Sequence, residues 1–231
     1  MSERYWAVVP AAGVGRRMGG ERPKQYLDLL GRSVLDHSLG RLLEHPRIEA
    51  VYLALAEEDA YWPGSAFAGD PRVIRVAGGA ERCHSVLNAL GRLREVADDG
   101  DWVLVHDAAR PCLTRQDLEG LIRSLEGHPV GGLLGVPLQD TLKRVVDSGE
   151  VVETLPRSEL WQAYTPQMFR LGLLAEALER ALARGLLVTD DASAVELSGH
   201  RPLMVEGQAG NLKITRPADL HLAAFYLQHH F

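Results

Sequence analysis

Apolar, β-branched runs alternate with amphipathic helical patterns along almost the whole chain, and that alternation leaves few folds open. The runs "YWAVVPA" (Tyr5–Ala11), "AVYLALA" (Ala50–Ala56), "RVIRVAG" (Arg72–Gly78), "DWVLVHDAA" (Asp101–Ala109) and "VGGLLGVP" (Val130–Pro137) read as strands. Helical patterns span Ser33–His45, Glu81–Val96 and Thr114–Leu125 between them, the last opening on a Thr114 N-cap with Asp117 three residues on. Strands that are nearly all apolar must be covered on both faces. Strand alternating with helix therefore predicts an α/β fold with a mainly parallel sheet. At 231 residues and 46% apolar content the chain has enough core for one domain, residues 1–231.

One segment breaks the rhythm. "DTLKRVVDSGEVVETLPR" (Asp140–Arg157) reads as two short strands, Leu142–Val146 and Val151–Leu155, joined by the polar turn "DSGE". An isolated two-stranded hairpin is marginal in water. Residues 138–160 are therefore expected to form a protruding arm that packs against something, and a second subunit is a good candidate. The pattern then resumes with "AYTPQMF", a helix near Leu171–Arg184, a short helix at Asp190–Ser198, "PLMVEG", and a last helix from Pro217 to about His229.

Several classes are disfavoured. No apolar run approaches the ~18 residues of a membrane span. The N-terminus enters a strand without a basic, apolar leader, so a cytoplasmic protein is expected. A net charge of -6 argues against a general nucleic-acid binder. Cys83 and Cys112 form no CxxC pair, which disfavours a disulfide framework or structural zinc.

Against that acidic background, "VVPAAGVGRRMGGERPKQY" places Arg16, Arg17, Arg22 and Lys24 within nine positions, directly after the first strand. A glycine-rich loop there is a common phosphate site, because backbone N–H groups converge on an anion. The P-loop pattern fails, since Met18 stands five residues after Gly13 and Lys24 is not directly preceded by glycine. The dinucleotide fingerprint fails at the same Met18. What remains is a run of small residues (Ala11, Ala12, Gly13, Gly15) that a flat base could approach, followed by the cations Arg17 and Lys24. That inventory suits a nucleoside triphosphate attacked at its α-phosphate, where positioned cations are the main help a protein can give. A glycine turn with solvated arginines is the competing account.

Two further strand ends are polar or glycine-rich, "AGGAERCHS" (Ala77–Ser85) and "VHDAARP" (Val105–Pro111). Ligands of open α/β sheets bind beyond such carboxyl ends. Asp107 suits a Mg²⁺ site beside phosphate oxygens, or a turn cap. Arg110 suits an anion or a surface ion pair. Ser85 suits a base edge or a helix's first turn. His106 reads as a packed residue rather than a catalyst.

In this order and spacing the chain also carries "PAAGVGRRM", "PKQY", "GGAERCHSV", "VHDAARP", "DTLKR", "TPQMF", "TDDASAVE" and "NLKITRPADL". Together they resemble the 2-C-methyl-D-erythritol 4-phosphate cytidylyltransferases of the non-mevalonate isoprenoid pathway, over essentially the whole chain. The resemblance implies a Rossmann-like sheet of the nucleotide-diphospho-sugar transferase type. It implies transfer of CMP from CTP to methylerythritol phosphate, releasing pyrophosphate, with Mg²⁺ or a similar divalent cation. Ala11, Ala12, Gly13, Gly79, Ala80 and Ser85 would surround the cytosine and ribose. Arg17 and Lys24 would stabilise the transition state. Asp107 and Arg110 would hold the sugar phosphate, Asp107 near the metal, and Lys213 would position the attacking phosphate. Arg157, with Thr141 and Thr165, would reach in from the other subunit of a homodimer, and Thr189 would contact the acceptor. Two departures stand out: Ala80, where some members have an acidic residue, and Gly210, which is often acidic or polar.

The chemistry agrees. A phosphate monoester has a second pKa of about 6 and is mostly a dianion at neutral pH, so no base is needed. The difficulty is repulsion from a tetra-anionic nucleotide, which Mg²⁺, arginine and lysine offset. Rivals are a cytidylyltransferase for another alditol phosphate such as ribitol 5-phosphate, a dinucleotide-binding oxidoreductase, and a non-catalytic nucleotide-binding module.

Overall fold

A computed structural model describes residues 3–13 and 22–229. The chain runs β1 (Tyr5–Pro10), β2 (Asp28–Leu29), β3 (Arg32–Ser33), α1 (Val34–Leu43), β4 (Ile48–Leu55), β5 (Val73–Ala77) and α2 (Arg82–Leu93). It continues with β6 (Trp102–Val105), α3 (Arg115–Leu125), β7 (Gly131–Pro137), β8 (Leu142–Val145), β9 (Val151–Leu155) and β10 (Trp161–Arg170). It closes with α4 (Leu171–Ala183), α5 (Asp191–Leu197), β11 (Leu203–Glu206) and α6 (Pro217–His229).

Seven strands form one sheet in the order β11-β7-β10-β6-β1-β4-β5. Every neighbouring pair is parallel except those of β10, which runs antiparallel to both β6 and β7. The expected α/β class therefore holds, with one reversed strand. "AYTPQMF" belongs to that strand, which spans ten residues. Alternation along β1 shows how the two faces fill. Tyr5, Ala7 and Val9 join Leu35, Leu39 and Leu42 of α1 and Leu118, Leu121 and Leu125 of α3. Trp6 and Val8 join Val86, Leu90 and Leu93 of α2 and Leu171, Leu174 and Leu178 of α4. Each buried Val or Leu among them contributes ~1.5–3 kcal/mol relative to exposure.

Side chains cap the starts of α1 and α3. Ser33 caps α1, its Oγ accepting the Asp36 N–H at 3.0 Å while the Asp36 carboxylate accepts the Ser33 N–H at 3.4 Å. Thr114 Oγ1 accepts the Asp117 N–H at 3.0 Å.

One strand is shorter than its sequence pattern. The Asp101–Ala109 run pairs only over Trp102–Val105. His106 to Arg110 leave the sheet as a turn that stays buried, because polar partners from other elements take its backbone groups. The hairpin β8–β9 stands apart as its own two-stranded sheet between β7 and β10 in the chain. Val145, Val146, Val151 and Val152 on it are about half exposed.

Candidate active site

The carboxyl ends of β6, β1 and β5 open onto a cavity of about 330 Å³. Its walls are Pro10–Gly13, Lys24 and Gln25, Gly79–Arg82, Ser85, Asp107–Ala109 and Lys213. Small residues form one side because the backbones meet closely there. A Cβ on Gly78 would stand 2.2 Å from the Ala12 Cβ, and one on Gly79 would stand 2.3 Å from the His84 Cβ. The Gly79 N–H donates to Ser85 Oγ at 2.9 Å, pinning the loop to the first turn of α2. Buried Gln25 fixes the other wall, its Nε2 donating to the Ala11 carbonyl at 2.8 Å and the Gly13 carbonyl at 3.2 Å.

Cations converge on Asp107. Lys213 Nζ lies 2.8 Å from its Oδ2, Arg82 Nε lies 3.2 Å from its Oδ1, and Arg110 Nε lies 3.6 Å from Oδ2. The second arm of Arg82 reaches fully buried Asp191 at 2.7 Å. Lys213 arrives there because its neighbour Ile214 donates its N–H to the Ala109 carbonyl at 2.8 Å. The Ile214 carbonyl in turn accepts Lys24 Nζ at 3.1 Å. One backbone segment thus gathers both lysines.

These contacts shape the charge states. Burial alone would raise the Asp107 carboxyl, yet the charges of Arg82, Lys213 and Arg110 hold it well below the usual carboxylate range. Burial works against the Arg82 cation, but Asp191 and Asp107 raise its pKa further still. Burial pushes the Asp191 carboxyl up, with Arg82 opposing. The His106 ring, enclosed completely, is lowered to about 4 and is neutral at physiological pH. Asp107 is therefore a fixed anion held between cations.

Of the residues read from the sequence, Ala11, Ala12, Gly13, Lys24, Gly79, Ala80, Ser85, Asp107 and Lys213 line this cavity. Arg17 lies outside the described residues. Arg110 is neither a surface residue nor a wall. It is buried behind Asp107, its Nη1 donating to the Asn211 carbonyl at 2.7 Å and its guanidinium lying 4.5 Å from the Tyr164 ring. Thr165 lies beside Asp107. It is buried in its own chain, where its Oγ1 accepts the Asp107 N–H at 3.0 Å. Thr141, Arg157 and Thr189 are exposed and outside the cavity wall. At Gly210 a side chain would meet the Tyr226 ring at 3.1 Å, so glycine there serves packing rather than the cavity.

Sequence reasoning missed Arg82, Gln25 and Asp191. Each sits inside a quoted motif, "GGAER", "PKQY" or "TDDAS", so the motifs held the signal while the roles did not show.

Comparison with known proteins decides the class. A family model for 2-C-methyl-D-erythritol 4-phosphate cytidylyltransferase matches residues 5–229. The chain belongs to that family. The Pseudomonas fluorescens (strain Pf0-1) enzyme of that name is 59% identical over 217 residues, 94% of this chain and 92% of that protein. A crystal structure of 4-diphosphocytidyl-2C-methyl-D-erythritol synthase is 38% identical, with TM-score 0.85 over 98% of this chain and 99% of that one. The Francisella tularensis 2-C-methyl-D-erythritol 4-phosphate cytidylyltransferase is 35% identical, with TM-score 0.84 over 96% and 99%. The protein is thus a nucleotidyltransferase, and the ribitol phosphate alternative is not favoured.

Proposed function

We propose that this cavity transfers CMP from CTP to 2-C-methyl-D-erythritol 4-phosphate, giving 4-diphosphocytidyl-2-C-methyl-D-erythritol and pyrophosphate for isoprenoid synthesis in the cytoplasm. The carrying observation is the pairing of Arg82 and Lys213 with Asp107 in a small-residue cleft whose wall Lys24 shares. Ala11–Gly13 and Gly79–Ser85 take the cytosine and ribose. Lys24 and Arg17 meet charge growing at the α-phosphate, which is where fixed cations accelerate phosphoryl transfer. Lys213 draws the acceptor phosphate in line, Asp107 and Thr189 orient the acceptor, and Arg110 braces Asp107 from behind. The acceptor is already mostly a dianion at pH 7, so its attack needs no base.

A Mg²⁺ or similar hard cation fits this donor set through Asp107, the carboxylate oxygen type such ions prefer. Among the described residues no three ligating side chains stand together. When bound, the ion neutralises phosphate charge.

The chain acts as one domain whose arm, 138–160, pairs two copies. Thr141 and Arg157 at the arm then serve the neighbouring cavity. Four half-exposed valines on a ribbon without a core of its own support this pairing.

Pyrophosphate release tests the reading, with CTP, UTP, ATP and GTP each offered against methylerythritol phosphate and ribitol 5-phosphate. Turnover should need CTP, methylerythritol phosphate and a divalent cation, and excess EDTA should stop it. Equal rates with a purine nucleotide or with ribitol 5-phosphate would refute it.

A further inference from the structure

The turn from Asp107 to Arg110 is tied at every residue, and each tie comes from a different part of the chain. The Asp107 N–H donates to Thr165 Oγ1 at 3.0 Å. The Ala108 carbonyl accepts Ser38 Oγ at 2.9 Å. The Ala109 carbonyl accepts the Ile214 N–H at 2.8 Å. The Arg110 carbonyl lies 3.0 Å from His106 Nε2. His106 Nδ1 then stands 3.0 Å from the same Thr165 Oγ1.

Donor and acceptor chemistry gives the two side-chain links one direction. The Arg110 carbonyl can only accept, so Nε2 carries the ring proton. A neutral ring then leaves Nδ1 as an acceptor. Thr165 has one hydroxyl hydrogen. The Asp107 N–H can only donate to it, so that hydrogen goes to Nδ1. The relay reads Asp107 N–H to Thr165 Oγ1, Thr165 O–H to His106 Nδ1, and His106 Nε2–H to the Arg110 carbonyl. Both ends of the turn are joined through two side chains, each fully or almost fully buried. At such depth a missing partner costs the group's full desolvation, so the relay has one satisfied arrangement.

We infer that Thr165 and His106 are positioning residues for the reaction, acting through Asp107. They touch no cavity space, yet they set the height of the turn on which Asp107 presents its carboxylate to Lys213 and Arg82. The inference rests on the reading of Asp107 as a group that orients the acceptor. It gives Thr165 a structural role, one that β10 delivers beside β6.

The test uses the full chain. Thr165→Val keeps the side-chain shape and removes the hydroxyl, stranding the Asp107 N–H and His106 Nδ1. Deuterium exchange at the Asp107 amide should quicken at least tenfold. Turnover should fall because displacing a binding group by about 1 Å can cost on the order of 10²-fold, so kcat/KM for the acceptor should drop about 10–100-fold. KM for CTP should hold, since Ala11–Gly13 and Gly79 are untouched, whereas general damage would move both. Thr165→Ser restores the hydroxyl and should behave as wild type. His106→Gln keeps a donor for Arg110 and loses the Nδ1 acceptor. Its loss and that of Thr165→Val should merge rather than multiply in the double variant. Wild-type exchange and turnover in Thr165→Val, equal damage in Thr165→Ser, or losses that multiply would each overturn the relay. If Thr165→Val does not fold, Thr165→Ser and His106→Gln still decide it through Asp107 exchange. A wild-type enzyme inert towards the acceptor would sink the functional reading alone, because the exchange comparison needs no substrate.

Discussion

Adding one methyl group to Gly79 would test whether the nucleotide wall is as tight as its geometry says. A Cβ there would stand 2.3 Å from the His84 Cβ, 3.0 Å from the His84 carbonyl carbon and 3.1 Å from the Ser85 N. Ordinary contact begins near 3.4 Å, so the loop and the first turn of α2 must part by about 1 Å. The neighbours are backbone and a Cβ, so no flexible tip can swing aside. That turn carries Arg82 and the Ser85 hydroxyl that accepts the Gly79 N–H. Overpacking of this size costs about 1–3 kcal/mol of stability. A shift of about 1 Å in a binding wall costs on the order of 10²-fold in rate, so Gly79→Ala should lower kcat/KM for CTP by that factor. Thermal melting and pyrophosphate release on the same sample separate the two effects. Gly91→Ala on the same helix is the control: nothing lies within 4 Å of its added Cβ. It should gain ~0.5–1 kcal/mol from helix propensity with activity unchanged. A Gly79→Ala enzyme with wild-type kcat/KM would refute the argument that contact at this loop sets the nucleotide wall.

Two other perturbations address the charge cluster and the arm. Asp191→Ala removes the fully buried partner of Arg82, so we expect a loss of about 2 kcal/mol or more in denaturant titration together with reduced kcat; unchanged values for both would mean the pair holds nothing. Lys24→Ala and Arg157→Ala, each inactive alone, should on unfolding and refolding together regain roughly a quarter of wild-type activity, since mixed dimers contain one intact site; no recovery with mixed dimers confirmed by mass would exclude a shared site.

Much of the fold follows from patterns that local chemistry controls. The helices after Ser33 and Thr114 begin where capping residues stand, and α6 opens on Pro217, which fits a first turn. β1, β4, β5 and β7 fall where apolar runs fall. The reversal of β10 was not legible, because its residues carry no mark of direction and the arm alone turns the chain back. The end of β6 was missed for a similar reason. Ala108 and Ala109 extend the run past His106 and Asp107, but the backbone partners of Asp107–Ala109 lie at Ser38, Thr165 and Ile214, far away in sequence. The same distance hid Arg82, whose second partner is 109 residues on. Asp107 and Lys213 were readable as chemical types within motifs. That they touch, at 2.8 Å, is a fact of topology.

The passage of β10 beneath the site has a consequence for how this chain can change length. Pairing of β10 with β7 shifts register between Ala163 and Gln167, and Thr165 sits within that interval. Adding or deleting one residue on either side of the shift would exchange the two faces of the strand. Thr165 would then turn from the Asp107 turn, and buried Gln167 would lose the Ala192 N–H that it accepts at 2.7 Å. The tip of the arm, Asp147–Glu150, has no such obligation, since its residues are exposed and bond only within the hairpin. Insertions and deletions should therefore accumulate at the tip and be excluded from the strand that follows it a few residues later, a sharp boundary in tolerance within one continuous excursion of chain.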